Sequence, residues 1–347
     1  VSLRSSFIFE STQLADSRSS VSIPNLSQLA KEPVIIEGEG IHTGRSFRVH
    51  FKRGPLGSGV IFRVEANKVS CSAPALWTRI SGTSRFTALV LRGDHGQKVE
   101  LRTIEHLLAA LWCLGTPDLE ICVTPLNESD ISSVFEIPIL DGSSESWIHF
   151  FSHHPSLFSS APLADEERKM ACWKVERDFE LLDGSKAIRF APLDGAITQL
   201  MSSVDFGGQL QQTASFVADW RLGTFSVLKD FAEQIAAART FGFRAELEDL
   251  ARRGLAKGGT LKNAILIDGD QVVNPEGFRM KDELARHKIL DAIGDFALLG
   301  APIFGSIQLV RAGHSMHLYA VKEAVDKGVL QRGHMHLDSG LFLPDSL

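Results

Sequence analysis

The chain reads as an α+β protein in two halves, residues 31–152 and 169–327. Three observations predict this. Both halves intersperse alternating strand-like segments with 3.6-period segments, and neither keeps the steady βαβα rhythm of a parallel sheet. Between them "HHPSLFSSAPLADEE" is rich in Pro, Ser and charge and has no periodicity, so 153–168 reads as a linker. The length of 347 residues accommodates two domains at roughly 100–200 residues each. With 44% hydrophobic and 22% charged residues the chain is apolar enough for a large core and too apolar for disorder.

The elements follow in order. Residues 1–30, beginning "VSLRSSFIFESTQLADSRSS", are Ser-rich with two Arg, carry Glu10 and Asp16, and lack an apolar h-region; they read as a flexible leader, with an organelle transit remnant as the alternative. From about Pro33 the pattern becomes regular. "RSFRVHF" and "GVIFRV" alternate as strands. "LRTIEHLLAALWCLG" contains a helix ended by Gly115, with Thr103 as its expected N-cap. "LEICVTPL" and "FEIPILDGS" are strand-like, the second stopped by Asp141-Gly142. After the linker, "CWKVERDFELLDGSKAIRFAPLD" suggests a hairpin around Asp183-Gly184. "KDFAEQIAAARTFGF" begins helical, and "AELEDLARRGLAKGG" is a second helix. "NAILIDGDQVVN" is two strands about a Gly-Asp turn. "FRMKDELARHKILDAIGDFALLG" is a helix, and "SIQLVRAGHSMHLYAVKEAV" a strand, a turn and a last helix. Residues 328–347 read as a tail.

Bulk properties exclude several classes. A net charge of −6 without a Lys/Arg-rich run gives no reason for a nucleic-acid partner. No apolar stretch is long enough to span a bilayer. Cys71, Cys113, Cys122 and Cys172 form no C-x-x-C pair, which fits a reducing, cytoplasmic compartment. "GLAKGGT" has its Lys before the Gly pair, so the P-loop spacing is absent, and "GEGIHTG" lacks G-x-G-x-x-G. No G-x-S-x-G elbow occurs.

Chemistry concentrates on the helix at 278–300. Wound at 3.6 residues per turn, it gathers Ile289, Leu290, Ile293, Phe296 and Ala297 on one side. His287, Asp291 and Asp295 stack on the other, with Lys288 at the edge. His and Asp four apart can chelate a divalent metal, or can form a plain polar face. Catalytic zinc usually takes three protein ligands, and His106 is the best third candidate. It sits in the first turn of its helix, where the dipole favours neutral imidazole; a packed core His is the alternative. His314 and His317 could be a second metal pair, or His314 a lone catalytic His on a turn. The "HMH" at 334–336, like His153 and His154, falls outside the periodic segments and reads as inert.

Taken as an ordered set, "GIHTG" (40–44), "TIEHLLAAL" (103–111), "EIPILDGS" (136–143), "ARTFGF" (238–243), "GLAKGGTLKNAILID" (254–268), "NPEGFRMKDELARHKILDAIGD" (274–295) and "GH" (313–314) resemble the zinc-dependent UDP-3-O-acyl-N-acetylglucosamine deacetylases of lipid A biosynthesis. The resemblance covers roughly residues 33–325. It implies two similar domains, each a β-sheet layer packed on a pair of helices, with the active site between them. It implies Zn2+ held by His106, His287 and Asp291, with Glu105 as general base. His314 would be general acid, Asp295 its orienting carboxylate and Thr240 the hydroxyl near the oxyanion. Lys288 and Phe241 would bind substrate. The implied reaction, a committed step of that pathway, removes the N-acetyl group of the acylated UDP-sugar as acetate. An insert near 255–275, a βαβ-like unit with Ile265, Leu266, Ile267, Val272 and Val273, would form an acyl-chain passage, some of these residues being plain core. A monomer is expected. The rivals are a non-catalytic nucleotide-sugar-binding protein that kept the fold, for which no ligand or base is missing, and a peptidase, which would more typically show H-E-x-x-H.

Overall fold

The computed structural model describes residues 34–345, except 68, 83, 116, 128–131, 159–167 and 208–209. The proposed leader and most of the linker therefore lie outside the described residues. Among those described, the first half builds a sheet in the order Val34–Glu39, Ser46–Arg53, Leu119–Pro125, Val60–Ala66, Val69–Pro74, Ala88–Arg92, Lys98–Arg102, Val134–Glu136. It goes with helices α1 (Glu105–Cys113) and α2 (Glu145–Ser152). Helix α2 was not legible in the apolar pattern; its Trp147 and Phe151 pack on Phe51 of the sheet, with ring centroids 6.1 and 5.4 Å away.

The second half carries α3 (Thr224–Gln234), α4 (Leu247–Arg252), α5 (Glu283–Ala297) and α6 (His314–Asp326). Its sheet centres on Ile303–Val310, which pairs antiparallel with Lys186–Ala191 and parallel with both Lys169–Val175 and Ile197–Asp205. One apolar cluster runs through both halves, joined where Trp112 of α1 meets Trp220 edge-on at 4.8 Å. The α+β architecture expected from the sequence is the one observed.

Several elements differ from expectation, each for a physical reason. "CWKV" is a separate strand, Lys169–Val175, and the hairpin is Phe179–Asp183 with Lys186–Ala191. A long hairpin, Ile197–Asp205 with Gln211–Asp219, was not announced by the apolar pattern. Its inward positions include Thr198, Ser202 and Gln212, so the burial alternates while the hydrophobicity does not. The stretch 328–345 of the expected tail is not loose. Leu330–His336 pairs antiparallel with Lys169–Val175 along its whole length, and buries Leu330, Gly333 and Met335. The βαβ-like unit starts earlier than 255: Phe241–Phe243 runs parallel to Ile265–Asp268, with α4 between them in sequence.

Candidate active site

Helix α1 does not start as the sequence suggested. Thr103 is not its cap; it holds a left-handed φ of 57°, and its hydroxyl donates to Glu136 Oε1 at 2.8 Å. The wholly buried Glu136 carboxylate also accepts the backbone N–H of His42 at 2.9 Å and of Thr43 at 2.7 Å. A Cβ on Gly40 would come 2.2 Å from Glu136 Oε2, so only glycine lets this loop close on the carboxylate. The "GIHTG" and "EIPILDGS" motifs thus fix the point where α1, and with it Glu105 and His106, begins.

The polar face of α5 is not a solvated one. His287, Asp291 and Asp295 are 1–2% exposed, and Glu105 and His106 only 3–4%. The two helices cross at Gly294, where a Cβ would lie 2.1 Å from the Glu105 carbonyl oxygen. Neither backbone can give way cheaply at that distance. Gly294→Ala is therefore expected to part the helices, destabilising the fold by about 1–3 kcal/mol as overpacking does and weakening metal retention. A urea midpoint and a metal content both equal to wild type would contradict this contact.

At the crossing, His106, His287 and Asp291 each offer a donor atom, all within 4.8 Å of one another. His287 Nε2 is 3.2 Å and His106 Nε2 is 3.8 Å from Asp291 Oδ1. His287 Nδ1 stands 3.0 Å from the Ala238 carbonyl, which fixes Nδ1 as the protonated nitrogen and turns Nε2 inward. Asp291 Oδ1 is buried without a hydrogen-bond partner. Burial pushes His106 down to about 3, assisted by His287, so it stays neutral. Burial would raise the Asp291 carboxyl, but His287 and Lys288 outweigh it and hold it well below its ordinary value. Two neutral imidazoles and a carboxylate with an unsatisfied oxygen fit a divalent cation such as zinc.

Lys288 places its ammonium 2.8 Å from Asp291 Oδ2 and 5.2 Å over the Phe241 ring, at the wall of the cleft.

Beside the triad lies a hydrogen-bonded group of one carboxylate and two imidazoles. Asp295 Oδ2 is 2.8 Å from both His314 Nδ1 and His317 Nδ1. Although Asp295, His314 and His317 could also be drawn as a metal cluster, two ring nitrogens at 2.8 Å from one oxygen are two hydrogen bonds. His317 is a fully buried partner of Asp295, a role its position in "GHSMH" did not reveal. His314 Nε2 points the other way, 3.8 Å from Glu105 Oε1 and 3.8 Å from Asp291 Oδ2. Burial alone would lower His314, yet Asp295, then Asp291 and Glu105, raise it to about 10. Burial raises Glu105 to about 8, against the pull of His314. Thr87, which no spacing signal marked, joins this group: its N–H donates to Glu105 Oε2 at 3.1 Å and its hydroxyl to Asp295 Oδ1.

The triad, Glu105 and His314 open into a cleft of about 770 Å³ with Thr240, Phe241, Lys288, Arg85 and Arg311 among its lining. Thr240 is held by its backbone, its N–H donating to the Gly142 carbonyl at 2.7 Å and its carbonyl accepting from Ile265 at 2.8 Å. Arg239, the preceding residue, is buried and bound to Glu283 at 2.9 Å and Glu276 at 2.6 Å. It anchors the segment and does not face the cleft. A second cavity, of about 300 Å³, shares Glu105, His106, Thr240 and Phe241 with the first. Ile41, Leu247, Leu250, Leu261, Ile265 and Leu266 make it apolar. Of the five passage candidates, Ile265 and Leu266 line it, Ile267 belongs to the core, and Val272 and Val273 are not part of its lining.

Comparison with known proteins points to one family. Residues 28–326 match the family of UDP-3-O-acyl N-acetylglycosamine deacetylases. A protein of Anaeromyxobacter dehalogenans named UDP-3-O-acyl-N-acetylglucosamine deacetylase is 35% identical over 289 residues, 83% of this chain and 83% of its own length. Proteins of the same name from Myxococcus xanthus, 33% identical over 84% of this chain and 83% of theirs, and from Saccharophagus degradans, 31% identical over 85% and 88%, are also similar to it. With the match covering most of its length, the chain belongs to the UDP-3-O-acyl N-acetylglycosamine deacetylase family.

Proposed function

We propose that this protein is a zinc-dependent deacetylase that removes the N-acetyl group of UDP-3-O-acyl-N-acetylglucosamine, yielding acetate and the free amine for lipid A biosynthesis. The observation that carries the reading is the buried triad of His106, His287 and Asp291, facing the same cleft as the Glu105 carboxyl group and the His314 imidazole, 3.8 Å apart. His106, His287 and Asp291 would hold the zinc. When bound, the ion supplies a Lewis acid that polarises the amide carbonyl and makes water acidic enough to attack at neutral pH.

The chain's own residues do the rest. Glu105 accepts the proton of the attacking water through a carboxylate oxygen facing the cleft. It does so only when ionised, against the upward pull of burial on its pKa. The Thr240 hydroxyl donates to the oxygen that becomes negative as the carbonyl is attacked, an interaction of the kind worth about 3–4 kcal/mol. His314, protonated and oriented by Asp295, gives its proton to the departing amine nitrogen. Lys288, Arg85 and Arg311 supply positive charge along a cleft that would receive a diphosphate. The adjoining apolar cavity receives the 3-O-acyl chain. No helix among the described residues is long and apolar enough to cross a membrane.

The test is amine release from the acylated UDP-sugar by purified protein, with and without a chelator. Activity lost on chelation and restored by zinc supports the reading; full activity in chelator refutes it. The same assay tests the cavity. A long-chain substrate is expected to exceed its deacylated counterpart in kcat/KM, with each buried methylene worth up to about 0.8 kcal/mol. Leu266→Trp, which fills the passage, should shift the preference to shorter chains. Equal kcat/KM with and without the acyl chain would remove the passage from the mechanism.

A further inference from the structure

Three segments meet at Thr87, and the residue is completely buried. It stands directly before the strand Ala88–Arg92. Its carbonyl accepts the N–H of Ile104, at the entry to α1. Its own N–H donates to Glu105 Oε2 at 3.1 Å. That bond occupies one oxygen of the carboxylate and leaves Oε1 as the one nearest His314 Nε2, at 3.8 Å. Its hydroxyl donates to Asp295 Oδ1, and the same hydroxyl oxygen lies 3.3 Å from His314 Nδ1. A single residue thus ties the carboxylate on α1 to the carboxylate on α5.

We propose that Thr87 is a positioning residue for the deacetylation: its hydroxyl locks the Asp295 carboxylate in the plane that aims His314 Nε2 at the reacting atoms. The inference rests on the deacetylase reading above. Asp295 Oδ2 already accepts from two imidazoles, so its orientation about the Cβ–Cγ bond is set by what holds Oδ1. Among the described residues, the hydroxyl of Thr87 is the side-chain donor found there. Without it a buried carboxylate oxygen loses its partner, and the carboxylate can turn toward other donors, carrying His314 with it. Such second-rank contacts around a reacting centre typically alter activity by 10–100-fold. The backbone bond to Glu105 does not depend on the side chain, so substitutions at Thr87 isolate the hydroxyl.

Thr87→Val keeps the shape and removes the hydroxyl; Thr87→Ser keeps the hydroxyl and removes the methyl. Thr87→Ala serves should the valine variant not fold. In the hydroxyl-free variant kcat is expected to fall about 10–100-fold, with KM changed less than about threefold and metal content unchanged. Thr87→Ser is expected to recover most of the lost kcat. A merely structural role for the methyl would give the opposite ranking. The second readout is proton NMR of the ring N–H groups. The two Nδ1–H protons held on Asp295 should give downfield resonances that move in Thr87→Val and stay in Thr87→Ser. Unmoved resonances in Thr87→Val, a kcat within twofold of wild type, or a serine variant as impaired as the valine one would each overturn the proposal. The resonances are read without substrate. A protein inactive on the acylated UDP-sugar whose resonances still respond to Thr87 would refute the deacetylase reading and leave the hold on Asp295 standing.

Discussion

Metal analysis of His287→Ala and Asp291→Ala proteins is expected to show loss of tightly bound zinc, and deacetylation by either should fall by more than about 1,000-fold. Loss of an outer-shell partner alone typically costs 10–100-fold, and these residues would touch the ion itself. The geometry explains why neither loss can be made good locally. Asp291 Oδ1 has no hydrogen-bond partner among the described residues, and its neighbours within reach are the imidazoles of His287 and His106. His287 is fixed from behind by the Ala238 carbonyl, which aims its Nε2 at the triad. His317 gives the internal control. It is as deeply buried as the ligands, yet its ring is committed to Asp295 and not to Asp291. His317→Gln is expected to keep its zinc. Zinc retained in full by both His287→Ala and Asp291→Ala would overturn the ligand assignment.

What the sequence made legible was the periodic part of this arrangement. A His and two Asp four apart on one helix had to share a face, and the family resemblance marked it as a site. Two causes hid the rest. One is that long-range partners carry no spacing: Thr87, far from α5 in sequence, meets Asp295 only because the strand Ala88–Arg92 begins beside the helix crossing. The other is that polar burial erases the apolar pattern. Glu136 ends the strand Val134–Glu136, as its segment suggested, but it is also a buried hub for three donors, among them Thr103, which does not fill the cap position expected of it. The hairpin from Ile197 to Asp219 was hidden by buried Thr198, Ser202 and Gln212 in the same way. Gly294 shows the reverse case. As a residue inside a helix it predicts only a local cost relative to Ala. Its reason is the 2.1 Å approach that a Cβ would make to α1, which no one-dimensional pattern can express.

His314→Ala is expected to lower kcat by about 10²–10⁴-fold, the usual range for a positioned proton donor, while zinc content stays at the wild-type level. The pH profile then separates the two proton tasks. Glu105 works as the ionised base, so kcat/KM should fall as pH drops through its pKa, which burial raises to about 8. His314 works as the protonated acid, so kcat/KM should fall again as pH rises through its pKa. Burial opposes protonation, but Asp295, Asp291 and Glu105 outweigh it and raise that value to about 10, which sets the alkaline limb high. Asp295 is the largest of the raising influences and makes the direct 2.8 Å bond. Asp295→Asn keeps the shape and removes the charge, so the imidazolium loses its main support and the alkaline limb should move to lower pH. The two limbs belong to a coupled set of groups rather than to single residues, and the decisive comparison is therefore between variants. His314→Ala should flatten the alkaline limb, and Asp295→Asn should displace it. An unchanged alkaline limb in His314→Ala, with near wild-type activity, would place the acid elsewhere and remove His314 from the reaction.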